Sequence, residues 1–186
     1  SPCHDVYVIA PDRERSAAGH SLTLHTPLRV EEVESKYGAK RCWMTTGTPG
    51  DCVKLAINAI LDKDELPDLV ISGINHGPNL GADILYSGTV SCAMEGAMMG
   101  YPSIATSLAS LRNDYEDFHY AAAFVAELLN RLDKYKIPPK TILNINIPGL
   151  EKEDIAGIAI TELGSRMFTD AYERRVDPRG KVYYWM

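Results

Sequence analysis

Residues 71–91 read I-S-G-I-N-H-G-P-N-L-G-A-D-I-L-Y-S-G-T-V-S, and the interpretation of the whole chain turns on them. Asn75 and Asn79 stand four residues apart among Gly73, Gly77, Gly81 and Gly88. Glycine has no Cβ, so a loop rich in it lets backbone N–H groups come close to an anion. Ser87-Gly88-Thr89 then closes the loop and opens a helical pattern. A helix start offers hydroxyls, free amides and the positive end of the macrodipole, a setting in which phosphate binds readily. Neutral asparagine oxygens on the same loop suit a hard divalent cation. Phosphate and metal side by side point to phosphoryl chemistry.

Just before this loop, D-L-V-I-S at 68–72 is an apolar run of strand length, so the loop leaves the carboxyl end of a buried strand. Further upstream, V-Y-V-I-A at 6–10 is a second such run, stopped by Pro11. It reads as a fully buried strand with a parallel neighbour on each side. Residues 12–21 form a polar loop. Residues 21–30 alternate partly and contain Pro27, which suggests an edge strand or ribbon. A short strand at 42–46 leads to Thr48-Pro49, an N-cap followed by proline at the first helical position. Val53, Ala56, Ile57, Ile60 and Leu61 continue at helical spacing.

Downstream, Val90, Ala93, Met94, Ala97 and Met98 share a helix face read as core packing, and Gly100 stops the helix. A short strand at 103–106 follows. A long amphipathic helix then carries Phe118, Ala121, Val125, Leu129 and Leu132, and a clear strand spans 143–147. Short strands alternating with helices predict an α/β fold with a mostly parallel sheet and helices on both faces. In such sheets ligands sit outside the carboxyl ends of the strands, and the loops after residues 10, 46 and 72 all obey that rule. Residues 172–186 read as a β-hairpin around Asp177-Pro178-Arg179-Gly180, with an aromatic end that is costly to leave uncovered.

Composition narrows the function classes. A chain of 186 residues with 45% hydrophobic content buries one substantial core. A net charge of −6 argues against a nucleic acid polymer as partner but not against a single nucleotide. Cys3, Cys42, Cys52 and Cys92 have no C-x-x-C spacing and read as buried thiols of a reducing cytoplasm. No run approaches the length of a membrane span, and no signal pattern opens the chain. The five histidines show no H-x-x-x-H pairing; His76, inside the glycine loop, is the one expected nearest substrate. Lys54 lacks the spacing of a P-loop lysine.

Three ordered stretches, A-P-D-R-E-R-S-A-A-G-H-S, T-T-G-T-P-G-D-C-V-K-L-A and S-G-I-N-H-G-P-N-L-G-A-D-I-L-Y-S-G-T-V-S-C-A-M-E-G-A, resemble the SurE family, the survival protein E nucleotidases. The resemblance runs from about His4 through L-N-I-N-I-P to Y-Y-W-M. It implies a Rossmann-like, doubly wound sheet and hydrolysis of nucleoside monophosphates with magnesium or manganese, the 5′-phosphates first and the 3′-phosphates as an open alternative. It also implies that Ser16 and Asn75 help hold the metal, and that Asn79, Ser87, Gly88 and Thr89 contact phosphate. A homodimer or homotetramer with exchanged C-terminal elements is implied too. That divides the chain into a nucleotidase domain at 1–170 and an oligomerisation hairpin at 171–186. SurE proteins open with a strand ending in Asn-Asp-Asp-Gly, whose aspartates bind the metal and support attack by water. Nothing here matches it, so no catalytic carboxylate is assigned. That first strand is the expected second neighbour of the strand at 6–10, so the natural chain is expected to begin upstream of Ser1.

Each candidate has a plainer alternative. Asn75 and Asn79 suit left-handed loop positions, and Ser87 is an ordinary N-cap that still leaves neighbouring amides to an anion. Ser16 by itself is a solvated loop serine. Asp12, Asp51 and Asp83 are read as structural, with Asp51 placed to favour a helix start. Two rival functions are a nucleotide-binding regulatory module without turnover and a dinucleotide-dependent oxidoreductase. The second needs G-x-G-x-x-G, whereas Gly73, Gly77 and Gly81 recur every fourth residue.

Overall fold

A computed structural model describes residues 4–35, 37–110, 118–132, 136–165 and 172–185. β1 (Tyr7–Pro11) pairs in parallel with β3 (Arg41–Thr45), and β2 (Val30–Val33) lies antiparallel on the other side of β3. A second, wholly parallel sheet has the order β4 (Val70–His76), β5 (Ser103–Ala109), β6 (Ile142–Pro148).

Helices cover this second sheet on both sides. α1 (Pro49–Leu55) runs into a π-helical turn, Ala56–Ile60, and packs beside α2 (Gly88–Met98). Val90 and Ala93 of α2 close on Ala105, with Met94 and Ile142 at the margin. On the opposite face α3 (Phe118–Leu132) lays Ala121 and Val125 on Leu108 and Ile147. Ala105 and Leu108 are an odd number of residues apart, and strand side chains alternate, so β5 feeds both cores. β5 is accordingly the most buried strand, with Ile104, Ala105 and Leu108 fully enclosed.

β7 (Glu173–Val176) and β8 (Val182–Trp185) form the expected antiparallel hairpin. Asp177 Oδ1 accepts from the amides of Arg179 and Lys181, both at 2.8 Å, and Gly180 takes φ +81°. Tyr183, Tyr184 and Trp185 remain exposed. The boundary at 170/171 falls outside the described residues, as do Cys3 and Met186.

Among the described residues β1 pairs with β3 and leaves Val8 41% exposed. Three expectations need correction. No strand spans 21–29; side chains serve that backbone instead, the Thr23 amide donating to the Asp51 carboxylate and the Arg29 amide to Thr46 Oγ1. The strand forms only beyond Pro27. β4 continues to His76, so Asn75 lies at a strand end and not in the loop. Met98 points outward at 69% exposure and takes no part in the core.

Candidate active site

The segments following β1, β3 and β4 converge. After β1, the Asp12 amide donates to the Thr45 carbonyl at 2.7 Å, and Arg15 Nη2 donates to the Thr46 carbonyl at 2.6 Å. Ala17 and Gly19 both take positive φ, +54° and +56°, and the Gly19 amide reaches the Tyr86 carbonyl at 2.9 Å. Ser16 sits at the exposed turn of this loop and donates to Glu14 Oε1 at 2.7 Å. Asp12 pairs with Arg15 across 3.4 Å.

After β3, Thr48 caps α1: its hydroxyl accepts from the Asp51 amide at 3.2 Å while the Asp51 carboxylate accepts from the Thr48 amide at 2.8 Å. Burial works to raise the Asp51 pKa. The hydrogen bonds from Thr48 and Thr23 outweigh it and hold the carboxyl below its ordinary value. Asp51 is therefore a capping group, as its position in the first turn suggested.

Within β4, the register against β5 shifts between Ser72 and Asn75. Gly73 makes this possible at φ +124°, because a Cβ there would lie 2.3 Å from the Thr106 carbonyl oxygen. Asn75 Nδ2 donates to the Gly77 carbonyl at 2.8 Å. Asn79 is buried and tied to the sheet from several sides. Its amide N–H donates to Asn146 Oδ1 at 2.8 Å, and its carbonyl accepts from Asn144 Nδ2 and Asn146 Nδ2 at 3.0 and 3.1 Å. Its side chain donates to Ser107 Oγ at 2.6 Å. Asn144, Asn146 and Ser107 were not singled out in the sequence; the N-x-N spacing in L-N-I-N-I, two same-face amides in an apolar strand, was the available signal.

A 3₁₀ turn, Gly81–Leu85, leads to Ser87, whose Oγ accepts from the Val90 amide at 3.1 Å and caps α2. The first amides of a helix, here those of Gly88 and Thr89, have no acceptor within the helix. Gly88 lies against the start of α1: a Cβ at this position would meet Pro49 Cγ at 2.9 Å. The glycine thus brings the two helix starts together.

Ser16, Asn75, Asn79, Ser87, Gly88 and Thr89 all line one cavity of about 2000 Å³. Its walls continue along β1 and β4, whose edges away from β3 and β5 both face it. Arg15 and His76 also line it. Arg15 Nε is buried without a hydrogen-bond partner, and the exposed His76 ring rests 6.2 Å from that of Phe118. Cys52 lines the same cavity as a free thiol whose pKa burial pushes up to about 12, so it is not a nucleophile at neutral pH. Among the described residues no group of three or more His, Cys, Asp or Glu side chains is arranged to hold a metal. Ser16 and Asn75 offer neutral oxygens, the donor class that magnesium and manganese accept. Among the described residues no helix is long and apolar enough to cross a membrane.

Known proteins are similar to this chain in sequence and in fold. The family model for survival protein SurE matches residues 1–170. A 5′-nucleotidase SurE of Synechococcus elongatus is 55% identical over 184 residues, which is 98% of this chain and 69% of that protein. The 5′-nucleotidase SurE of Carboxydothermus hydrogenoformans is 52% identical over 183 residues, again 98% of this chain and 69% of the relative. The crystal structure of the SurE protein from Aquifex aeolicus superposes with a TM-score of 0.77 at 44% identity, covering 95% of this chain and 68% of that one. With the family model over residues 1–170, relatives above half identity and a shared fold all in agreement, this chain belongs to the SurE family.

Proposed function

We propose that this chain carries the substrate site of a metal-dependent phosphomonoester hydrolase acting on nucleoside 5′-monophosphates and also on 3′-monophosphates. The observation that carries the reading is convergence: six residues from separate segments of the sequence line one cavity beyond the carboxyl ends of parallel strands. The relatives' name, 5′-nucleotidase, supports the same chemistry.

In this reading the Gly88 and Thr89 amides and the Thr89 hydroxyl hold the equatorial phosphate oxygens, favoured by the α2 macrodipole. Ser87 shapes the helix start by capping it and adds its hydroxyl to the cradle. Asn79 has one side-chain N–H committed to Ser107 and turns the other toward the anion. Arg15, held by the Thr46 carbonyl, adds a guanidinium charge to the lining of the same cavity.

Ser16 and Asn75 are the proposed ligands of magnesium or manganese. Donation from Asn75 Nδ2 to Gly77 orients the amide so that its oxygen is the atom available to a cation. When bound, the cation supplies Lewis acidity at phosphate and a water of lowered pKa. The hairpin, with Tyr184 and Trp185 exposed, is proposed to pack against a second copy of the chain in a homodimer or homotetramer.

The test is release of inorganic phosphate from nucleoside monophosphates by the whole natural protein, with and without manganese. Metal-dependent release is expected. Tight nucleotide binding without release would replace this reading with that of a regulatory module.

A further inference from the structure

Glu95 is almost completely buried, 2% exposed, on the third turn of α2. Its carboxylate is gripped from two sides, by His20 Nε2 at 2.8 Å and by Lys54 Nζ at 2.6 Å. Burial would raise its pKa, and the hydrogen bonds from Lys54 and His20 overcome that and hold it below the ordinary glutamate value. A buried charge is retained at a cost, and removing a partner leaves that cost uncompensated. The two partners come from different places: Lys54 belongs to α1, whereas His20 belongs to the loop that carries Ser16.

That loop needs holding. Ala17, which is not glycine, sits at φ +54°, a conformation that persists only where the surroundings impose it. The neighbouring ties, Gly19 to the Tyr86 carbonyl and the Ser21 carbonyl to Thr48 Oγ1, are neutral hydrogen bonds. The hydrogen bond from His20 Nε2 to the buried Glu95 carboxylate fastens residues 17–21 to α2 among the described residues. Six residues separate Thr89 from Glu95, about 9 Å along the helix. One rigid helix therefore presents the phosphate donors at its start and the loop anchor two turns later.

We propose that Glu95 is a positioning residue: through His20 it holds the Ser16 loop in register with the anion site at the start of α2. The proposal rests on the placement of Ser16 beside the substrate given above. It differs from a simple structural role in one respect. His20 and Lys54 bind the same carboxylate, but only His20 connects it to the loop.

The test uses the whole natural protein and three variants, His20→Ala, His20→Gln and Lys54→Met. Glutamine keeps an N–H close to the position of His Nε2. Trypsin cleavage after Arg13 and Arg15, followed by mass spectrometry, reads the loop directly. Phosphate affinity, kcat and KM read the site, and thermal denaturation reads the fold.

His20→Ala should speed cleavage in the loop and lower kcat about 10- to 100-fold, as displacement of a positioned group does. His20→Gln should restore both. Lys54→Met should lower Tm while leaving loop cleavage and kcat near wild type. Cleavage unchanged in His20→Ala, or changed equally in Lys54→Met, would overturn the proposal. A wild-type protein that released no phosphate would defeat the nucleotidase reading instead, and the cleavage comparison would still decide whether Glu95 anchors the loop.

Discussion

Ser87 and Thr89 lie two residues apart, yet their removal should produce different signatures. Thr89→Ala takes away a hydroxyl proposed to bind a charged oxygen, a bond worth about 1.5–3 kcal/mol. Phosphate affinity should fall by that amount with Tm unchanged. Ser87→Ala should lose comparable phosphate affinity and also about 1 kcal/mol of stability, because its Oγ caps α2. Calorimetric titration with inorganic phosphate, paired with thermal denaturation, separates the two; unaltered affinity in both variants would remove these residues from the anion site. Asn75→Ala should weaken manganese binding in the same type of titration, and excess manganese should recover part of the activity. Full metal affinity in that variant would exclude Asn75 as a ligand. The serine cap and the glycines were legible because their chemistry is local. Asn79 was not legible in full, since the partners that fix it, Ser107, Asn144 and Asn146, lie 28 to 67 residues away. Spacing within a loop carries no information about such distant acceptors.

At the level of elements, helix starts were easier to read than strand ends. Thr48-Pro49 and Ser87-Gly88 mark their helices because a cap satisfies amides only two or three residues on. β4 outran its expected end at Ser72 since Gly73 lets the chain pass close to Thr106 and pair again at Asn75. Residues 21–29 failed as a strand for the opposite reason, their amides being drawn to Asp51 and Thr46 side chains. The α1 cap also makes a pH prediction. The Asp51 carboxyl is held below the ordinary value of 3.8 in the folded chain, so the unfolded state takes up its proton first as pH falls. Its stabilisation should be complete well above pH 3.8 and be lost as pH falls below it through the folded value. In Asp51→Asn that part of the acid dependence should vanish from denaturation curves measured across this range. An unchanged acid limb would mean that other carboxylates set it.

Across the whole molecule, the α/β class was legible in the alternation of strands and helices. That alternation did not reveal which strands pair, β3 lying between β1 and β2 and β5 between β4 and β6, because strand pairing is a long-range property that periodicity does not encode. The hairpin was legible from its Asp-Pro-Arg-Gly turn, and its exposed Tyr183, Tyr184 and Trp185 favour a partner copy. Light scattering of the whole natural protein at micromolar concentration should report a dimer or tetramer, and Trp185→Glu should shift it toward monomer; a monomeric wild type would contradict the assembly. The central claim, that distant segments build one phosphate and metal site, is tested most directly by a crystal structure of that protein with manganese and inorganic phosphate. The account predicts phosphate on the amides of Gly88 and Thr89, with manganese between it and the oxygens of Ser16 and Asn75. Phosphate bound elsewhere, with the start of α2 and Asn75 untouched, would contradict it.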